Sequence, residues 1–218
     1  MVFLKYRLFF LCFGLMFFLF VSAQNDKPFQ LWNIDEVSYK VSTTLTLSVN
    51  QELHWVDNIT LLSYNHTELK STWRITKVFF AGIDFRHVRF HDQLRYNEER
   101  PELSVIARMP AGRFIFINRL RTEYRMFTIM DDYIRGVNRF FVIYPVTLFN
   151  HSAEPYFSTM HFYAYSDQKL EMARYYCGII YNWNKHFSND LCVMHLSVNK
   201  SNWQYFYVLI AGAKYTIR

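Results

Sequence analysis

Apolar and polar residues alternate without a break over positions 37–49. Val37, Tyr39, Val41, Thr43, Leu45, Leu47 and Val49 take one parity, and Ser38, Lys40, Ser42, Thr44, Thr46 and Ser48 the other. A period of two sustained over this length excludes a helix and predicts one long antiparallel strand, its apolar parity on a core and its polar parity in water. Shorter runs rich in β-branched and aromatic residues recur at 55–63, 73–80, 84–91, 103–109, 114–120, 123–130, 138–148, 161–165, 175–183, 191–198 and 203–210. Turn chemistry separates them, as at Pro110-Ala111-Gly112 and in the polar segment from Asp131 to Val137. Residues 64–70 read as a loop, as does the charged stretch 92–102 with Pro101 in it. Residues 24–36 read as an arm or short helix covering one end. The pattern predicts an all-β chain with ten or eleven strands and one or two short helices, in an antiparallel up-and-down barrel or a two-sheet sandwich. The length of the 37–49 strand favours the barrel.

Residues 158–198 hold three such runs and the two cysteines Cys177 and Cys192. With the turn centred between Asn184 and Lys185, Cys177 falls directly opposite Cys192. Cys177, Ile179, Tyr181 and Trp183 then share a face with Cys192, Met194, Leu196 and Val198, and a slip of one residue would invert all of them. The face is apolar and reads as core. The register predicts a Cys177–Cys192 disulfide, with two buried thiols as the alternative.

The chain opens with Lys5 and Arg7, an apolar run over 8–20 and the small-residue sequence Val21-Ser22-Ala23, which reads as a signal peptide covering residues 1–23. The mature protein is then one domain, residues 24–218, in an oxidising extracellular compartment, with no membrane contact after cleavage. Loss of Lys5 and Arg7 reduces the formal net charge from +6 to a mild +4. The basic residues are scattered; Arg113, Arg119, Arg121 and Arg125 alternate with apolar neighbours like the solvated face of a sheet, so nucleic acid is not an expected partner. Four Asn-x-Ser/Thr sequons, at Asn58, Asn65, Asn150 and Asn199, are read as glycosylation sites in loops or at strand ends.

No catalytic arrangement emerges. His87 and His91 flank Arg89 on a strand face, and a cation between them opposes a metal ion. There is no Gly-x-Ser-x-Gly elbow, and six glycines leave no phosphate loop. The adjacent pair Asp131-Asp132 reads as an exposed turn. The chain is therefore expected to be no enzyme and to need no cofactor or metal. Aromatic residues make up 20% of it, and Tyr hydroxyls in a core need partners, so a solid β-core and a lined cavity both remain open. The cavity reading places Tyr39, Tyr144, Tyr163, Tyr181 and Trp183 inside as ligand-binding residues. Asp84 joins them if it points inward to meet an amine; the alternative leaves it at a strand end in water.

The segment HFYAYSDQKLEMARYYCGIIYNWNKHFSNDLCVMHLSV, with Cys177-Gly178-Ile179-Ile180, the run from Cys192 to Val198 and Asn199, resembles the tick salivary lipocalins, and the stretch from Leu53 to Thr60 resembles that family's Trp-plus-sequon stretch. The resemblance implies a secreted eight-stranded barrel of histamine-binding type. Its partner would be a small amphipathic ligand, a biogenic amine or lipid mediator of a host. The alternative is a secreted glycoprotein that binds a host or partner protein through its surface.

Overall fold

The structure is a computed structural model that describes residues 29–91, 95–199 and 202–217. The expected signal peptide and the cleavage point after Ala23 lie outside the described residues. Twelve strands follow one another: β1 (Gln30–Lys40), β2 (Leu45–Val56), β3 (Leu61–Arg74), β4 (Phe79–Phe90), β5 (Asn97–Ala111), β6 (Phe114–Phe127), β7 (Tyr133–Ile143), β8 (Val146–Leu148), β9 (His151–Ala164), β10 (Lys169–Asn182), β11 (Phe187–Asn199) and β12 (Trp203–Ile217). Each strand pairs antiparallel with the next, except that β8 is a short continuation of β7 along β9, beyond the break at Pro145, which has no N–H to give the ladder. The ring is closed by β1 lying against β12. Eleven strands make that ring, so its first and last members run the same way and the closing pair is parallel. The barrel is thus larger than the eight strands that the lipocalin resemblance implies, and no helix occurs among the described residues, where one or two short ones were expected.

The closed ladder leaves side chains only two places to go. Along β5, Glu98, Arg100, Glu102 and Ser104 are buried, while Leu103 and Val105 of the other parity are 61% and 55% exposed. Leu69, Ile83 and Leu120 on neighbouring strands are also more than half exposed, whereas Asp84, Arg121 and Glu123 are buried. Polarity is inverted relative to a soluble protein: the outer wall is apolar and much of the interior is charged. This corrects the assignment of faces throughout. In the 37–49 pattern Ser38 and Ser48 turn inward, and Val37, Tyr39, Leu47 and Val49 turn outward.

That pattern is also two strands rather than one. β1 ends at Lys40, a turn spans 41–44, and β2 begins at Leu45. Val37 pairs with Val49 and Tyr39 with Leu47, so residues of equal parity meet across the turn and the alternation passes through it intact. Ser42 Oγ holds the turn by accepting from the N–H groups of Thr44 at 3.1 Å and Leu45 at 3.0 Å. Residues 64–70 lie within β3, and β5 starts at Asn97 inside the supposed charged loop; of the polar side chains that suggested loops, His66, Glu68, Glu98, Arg100 and Glu102 are buried. Residues 30–36, expected as arm or helix, belong to β1.

The two cysteines do not meet. β10 and β11 are in register with Cys177 opposite Val193 and Gly178 opposite Cys192, one residue away from the expected pairing. Cys192 therefore points inward and Cys177 outward, and no disulfide joins them. Gly178 is dictated by this register, because a Cβ there would come within 2.7 Å of the Cys192 Cβ and 2.8 Å of the Tyr156 hydroxyl. At the closing seam a Cβ on Gly212 would meet the Ile34 carbonyl oxygen at 2.2 Å. The seam is reinforced by side chains: Asn33 Nδ2 donates to the Ala211 carbonyl at 3.3 Å, and Asp35 Oδ1 accepts from the Ala213 N–H at 2.9 Å.

Two outcomes follow from the register. Gly212→Ala should lower stability by about 1–3 kcal/mol through overpacking against backbone that cannot rotate away, read from urea titration of tryptophan fluorescence. Alkylation under denaturant without reductant should modify both Cys177 and Cys192; a single or absent mass shift would contradict the register.

Candidate functional site

The interior surface is built from alternate residues of every strand, and its charged part is a lattice of carboxylates and guanidiniums crossing from strand to strand. On β3, Glu68 Oε1 accepts from Arg86 Nη2 of β4 at 2.8 Å, and the same nitrogen lies 3.4 Å from Glu102 of β5. Glu102 in turn faces Arg121 of β6 at 3.1 Å. Arg121 lies 2.5 Å from one oxygen of Glu123, whose other oxygen accepts from Arg135 of β7 at 2.6 Å. Glu98 receives two forks, from Arg100 at 2.7 and 2.9 Å and from Arg125 at 2.7 and 2.9 Å. Arg119 pairs with Asp84, and Glu36 of β1 bridges Lys70 of β3 and Lys214 of β12. Bidentate, charge-assisted contacts of this kind fix orientation as well as charge.

Below the lattice, nearer the end of the barrel that carries the turns after β2 and β6, a collar of rings follows the wall from strand to strand. Trp32 stacks on His54 at 3.6 Å, His54 on Tyr64 at 4.2 Å, Tyr64 meets Phe90 at 5.3 Å, and Phe90 stacks on Tyr96 at 4.3 Å. Phe127 and Tyr133 continue it, with the Arg125 guanidinium 4.7 and 5.0 Å from their centroids. The opposite wall, mainly β9 to β12, is apolar inside: Met160, Phe162, Tyr176, Met194, Leu196, Val208 and Ile210 form a buried cluster with Trp32. A cavity of about 710 Å³ runs between the two walls. Its lining includes Ser188 and Lys214 near one end and Tyr64, Phe90 and Arg125 near the other.

Glu68, Asp84 and Glu102 bring oxygens within 4.8 Å of one another, the donor set of a hard cation. Arg86, Arg119 and Arg121 stand against these same carboxylates, so the group is neutralised by guanidiniums and forms part of the lattice.

The residues expected to line a ligand site are not brought together. Only Asp84 faces inward, and its carboxylate is committed to Arg119 rather than open to an amine. Tyr39, 50% exposed, and Tyr163 lie on the outer wall, Tyr163 against Tyr165 at 5.6 Å. Tyr144 sits beside Phe114 at 5.1 Å on the outside, where its hydroxyl accepts from Arg113 at 3.5 Å. Tyr181 and Trp183 meet edge to face at 4.8 Å, also outside. These aromatics fall into two belts beside the turns: Tyr39, Phe114, Tyr144, Tyr181, Trp183 and Tyr215 at one end, and Tyr163, Tyr165, Trp203 and Tyr205 at the other. Of the sequon asparagines, Asn58 and Asn150 sit in turns with positive φ, Asn199 ends β11 and donates to the Leu170 carbonyl at 3.0 Å, and Asn65 lies within β3. The lattice itself escaped the sequence reading, although its signal is present: Glu98, Arg100 and Glu102, and Arg119, Arg121, Glu123 and Arg125, recur with period two.

The chain thus forms a closed eleven-stranded barrel with an apolar exterior, aromatic flanks and a charged interior. The chain belongs to the family described as Protein of unknown function (DUF2490), which matches residues 29–206. Its fold is similar to a solved structure titled KdgM porin, with a TM-score of 0.51 and 15% sequence identity over 84% of this chain and 90% of that one. No curated protein sequence matches it. These findings overturn the expected kinship with salivary lipocalins, and with it the secreted, salivary, ligand-sequestering reading and the absence of a membrane. The resemblance rested on a strand meander carrying Cys177, Cys192 and Asn199 and on the stretch from Leu53 to Thr60; a meander is common to antiparallel barrels of any size.

Glu123→Gln should leave Arg121 and Arg135 without their common carboxylate and cost about 3 kcal/mol, the lower end for a broken buried pair because Arg121 keeps Glu102 at 3.1 Å and Arg135 keeps Glu171 at 3.6 Å. Urea titration in detergent measures it, and an unchanged midpoint would show the lattice to be dispensable.

Proposed function

We propose that this protein is a membrane-embedded channel of the outer-membrane type, whose lumen carries small hydrophilic solutes without chemical change. The observation that supports the reading is the inverted polarity of the wall. Leu69, Ile83, Phe85, Leu103, Val105 and Leu120 form a continuous apolar surface on β3 to β6, far more than a soluble monomer presents to water. Acyl chains would cover it, and a barrel meets the requirement for such a solvent because main-chain ladders join neighbouring strands all the way round the ring. The aromatic belts at both ends match the place where amphipathic rings favour the boundary between lipid and water. No helix among the described residues is long and apolar enough to cross a membrane.

Protein refolded into phospholipid vesicles should migrate faster on a gel before boiling than after, and should support an ion current across a planar bilayer in potassium chloride. A soluble, vesicle-indifferent protein would remove the proposal. Leu103→Arg on the outer wall should reduce the stability of the inserted form by about 2–4 kcal/mol, the penalty for a charge facing lipid near mid-depth. Folding titrations in vesicles read that difference.

A further inference from the structure

Ten cationic side chains line the cavity, and eight of them have a carboxylate within 4 Å; Arg139 of β7 and Arg174 of β10 do not. Both are held by other means. The Arg139 guanidinium lies 4.2 Å from the Phe141 centroid and 4.7 Å from that of Tyr176, with Nε donating to Ser158 Oγ at 3.3 Å. Arg174 lies 4.8 Å from both the Trp32 and Phe162 centroids, with Nε against Met172 Sδ at 3.2 Å. In each case two rings and one Nε contact fix the plane of the fork. The terminal nitrogens, Nη1 and Nη2, have no protein acceptor among the described residues. A guanidinium presented in this way is preorganised for two parallel hydrogen bonds to one oxyanion, which a flexible ammonium cannot make.

We propose that Arg139 and Arg174 are oxyanion-binding stations within the lumen, and that the permeating solutes carry phosphate, sulfate or carboxylate groups. The inference rests on the channel reading for its role in transport, but binding itself does not depend on current. The eight neutralised cations contribute little net attraction, since each already has a carboxylate within 4 Å. Arg174 lies on the wall that carries the apolar cluster and Arg139 on β7, where that cluster borders the lattice, so the anion meets both beside rings rather than among carboxylates. Stacking also keeps the guanidiniums from swinging over to the carboxylates opposite.

The test uses inorganic phosphate as the probe on the full barrel, by two independent readouts. Calorimetry on detergent-folded protein measures binding irrespective of conduction, and phosphate block of the chloride current in planar bilayers measures it in the pathway. The expected result is saturable binding and block that weaken roughly tenfold in Arg139→Gln and in Arg174→Gln, the scale of one lost charged hydrogen-bonded contact. Arg174→Lys keeps the charge and removes the fork; block that falls in Lys as it does in Gln assigns the effect to bidentate geometry. Heat-shifted gel mobility confirms that each variant is folded. No phosphate binding by wild type, or equal binding by wild type and both Gln variants, overturns the inference. Full retention of block in Arg174→Lys also overturns it, since charge alone would then suffice. Phosphate binding without any current would overturn the channel reading and leave the stations standing.

Discussion

The structure depends on one constraint: a closed wall a single strand thick. Lateral hydrogen bonds consume the main chain all the way round, so side chains alone decide what the protein meets inside and outside. With a period of two, every residue that serves the outer surface is followed by one that serves the lumen. A wall that is apolar outside must therefore find its internal cohesion in whatever the other parity supplies. On β3 to β7 that is the carboxylate–guanidinium lattice, and on β9 to β12 and β1 it is the apolar cluster around Met194 and Val208.

The two halves do different work. The lattice ties each strand to its neighbour by contacts that bridge strands, such as Glu123 between Arg121 and Arg135, and it leaves water-accessible space beside it. Buried ion pairs add little to stability over well-packed apolar residues, but they are exacting in register. The apolar half narrows the lumen and brings rings under Arg139 and Arg174. Two glycines permit this geometry. Gly178 leaves room for the Tyr156 hydroxyl to donate to Asp190 at 3.0 Å, and Gly212 allows the parallel seam to close on Ile34.

The class of fold was legible in the sequence, and the sense of its two faces was not. Alternation at period two looks the same whether the apolar parity points in or out; composition, at 51% hydrophobic, does not break the tie. The tie is broken by the polar parity: on β5 it is Glu98, Arg100, Glu102, opposite charges in series, which suits a paired interior better than a surface in water. The same charges made 92–102 look like a loop. The turn at 41–44 was hidden because its even offset keeps parity, and the cysteine pairing failed because a register displaced by one residue puts neighbours on opposite faces. The aromatic excess was visible, but its division into two outer belts and an inner collar depends on the position of each ring along a strand, which needs the strand ends. Of the expected site residues only Asp84 lies inside, and the arginines that make up the lumen were visible as a period-two row without the fold that gives it meaning.

Spin labels placed one at a time at positions 103 to 107 of β5, in protein inserted in phospholipid vesicles, test the inverted wall most directly. Collision rates with oxygen, which concentrates among acyl chains, and with a water-soluble nickel chelate should alternate along the strand. Positions 103, 105 and 107 should show high oxygen and low nickel access, and 104 and 106 the reverse. Nickel access at 103 and 105 with shielding of 104 and 106 would mean an apolar core inside and water outside, and would contradict the account.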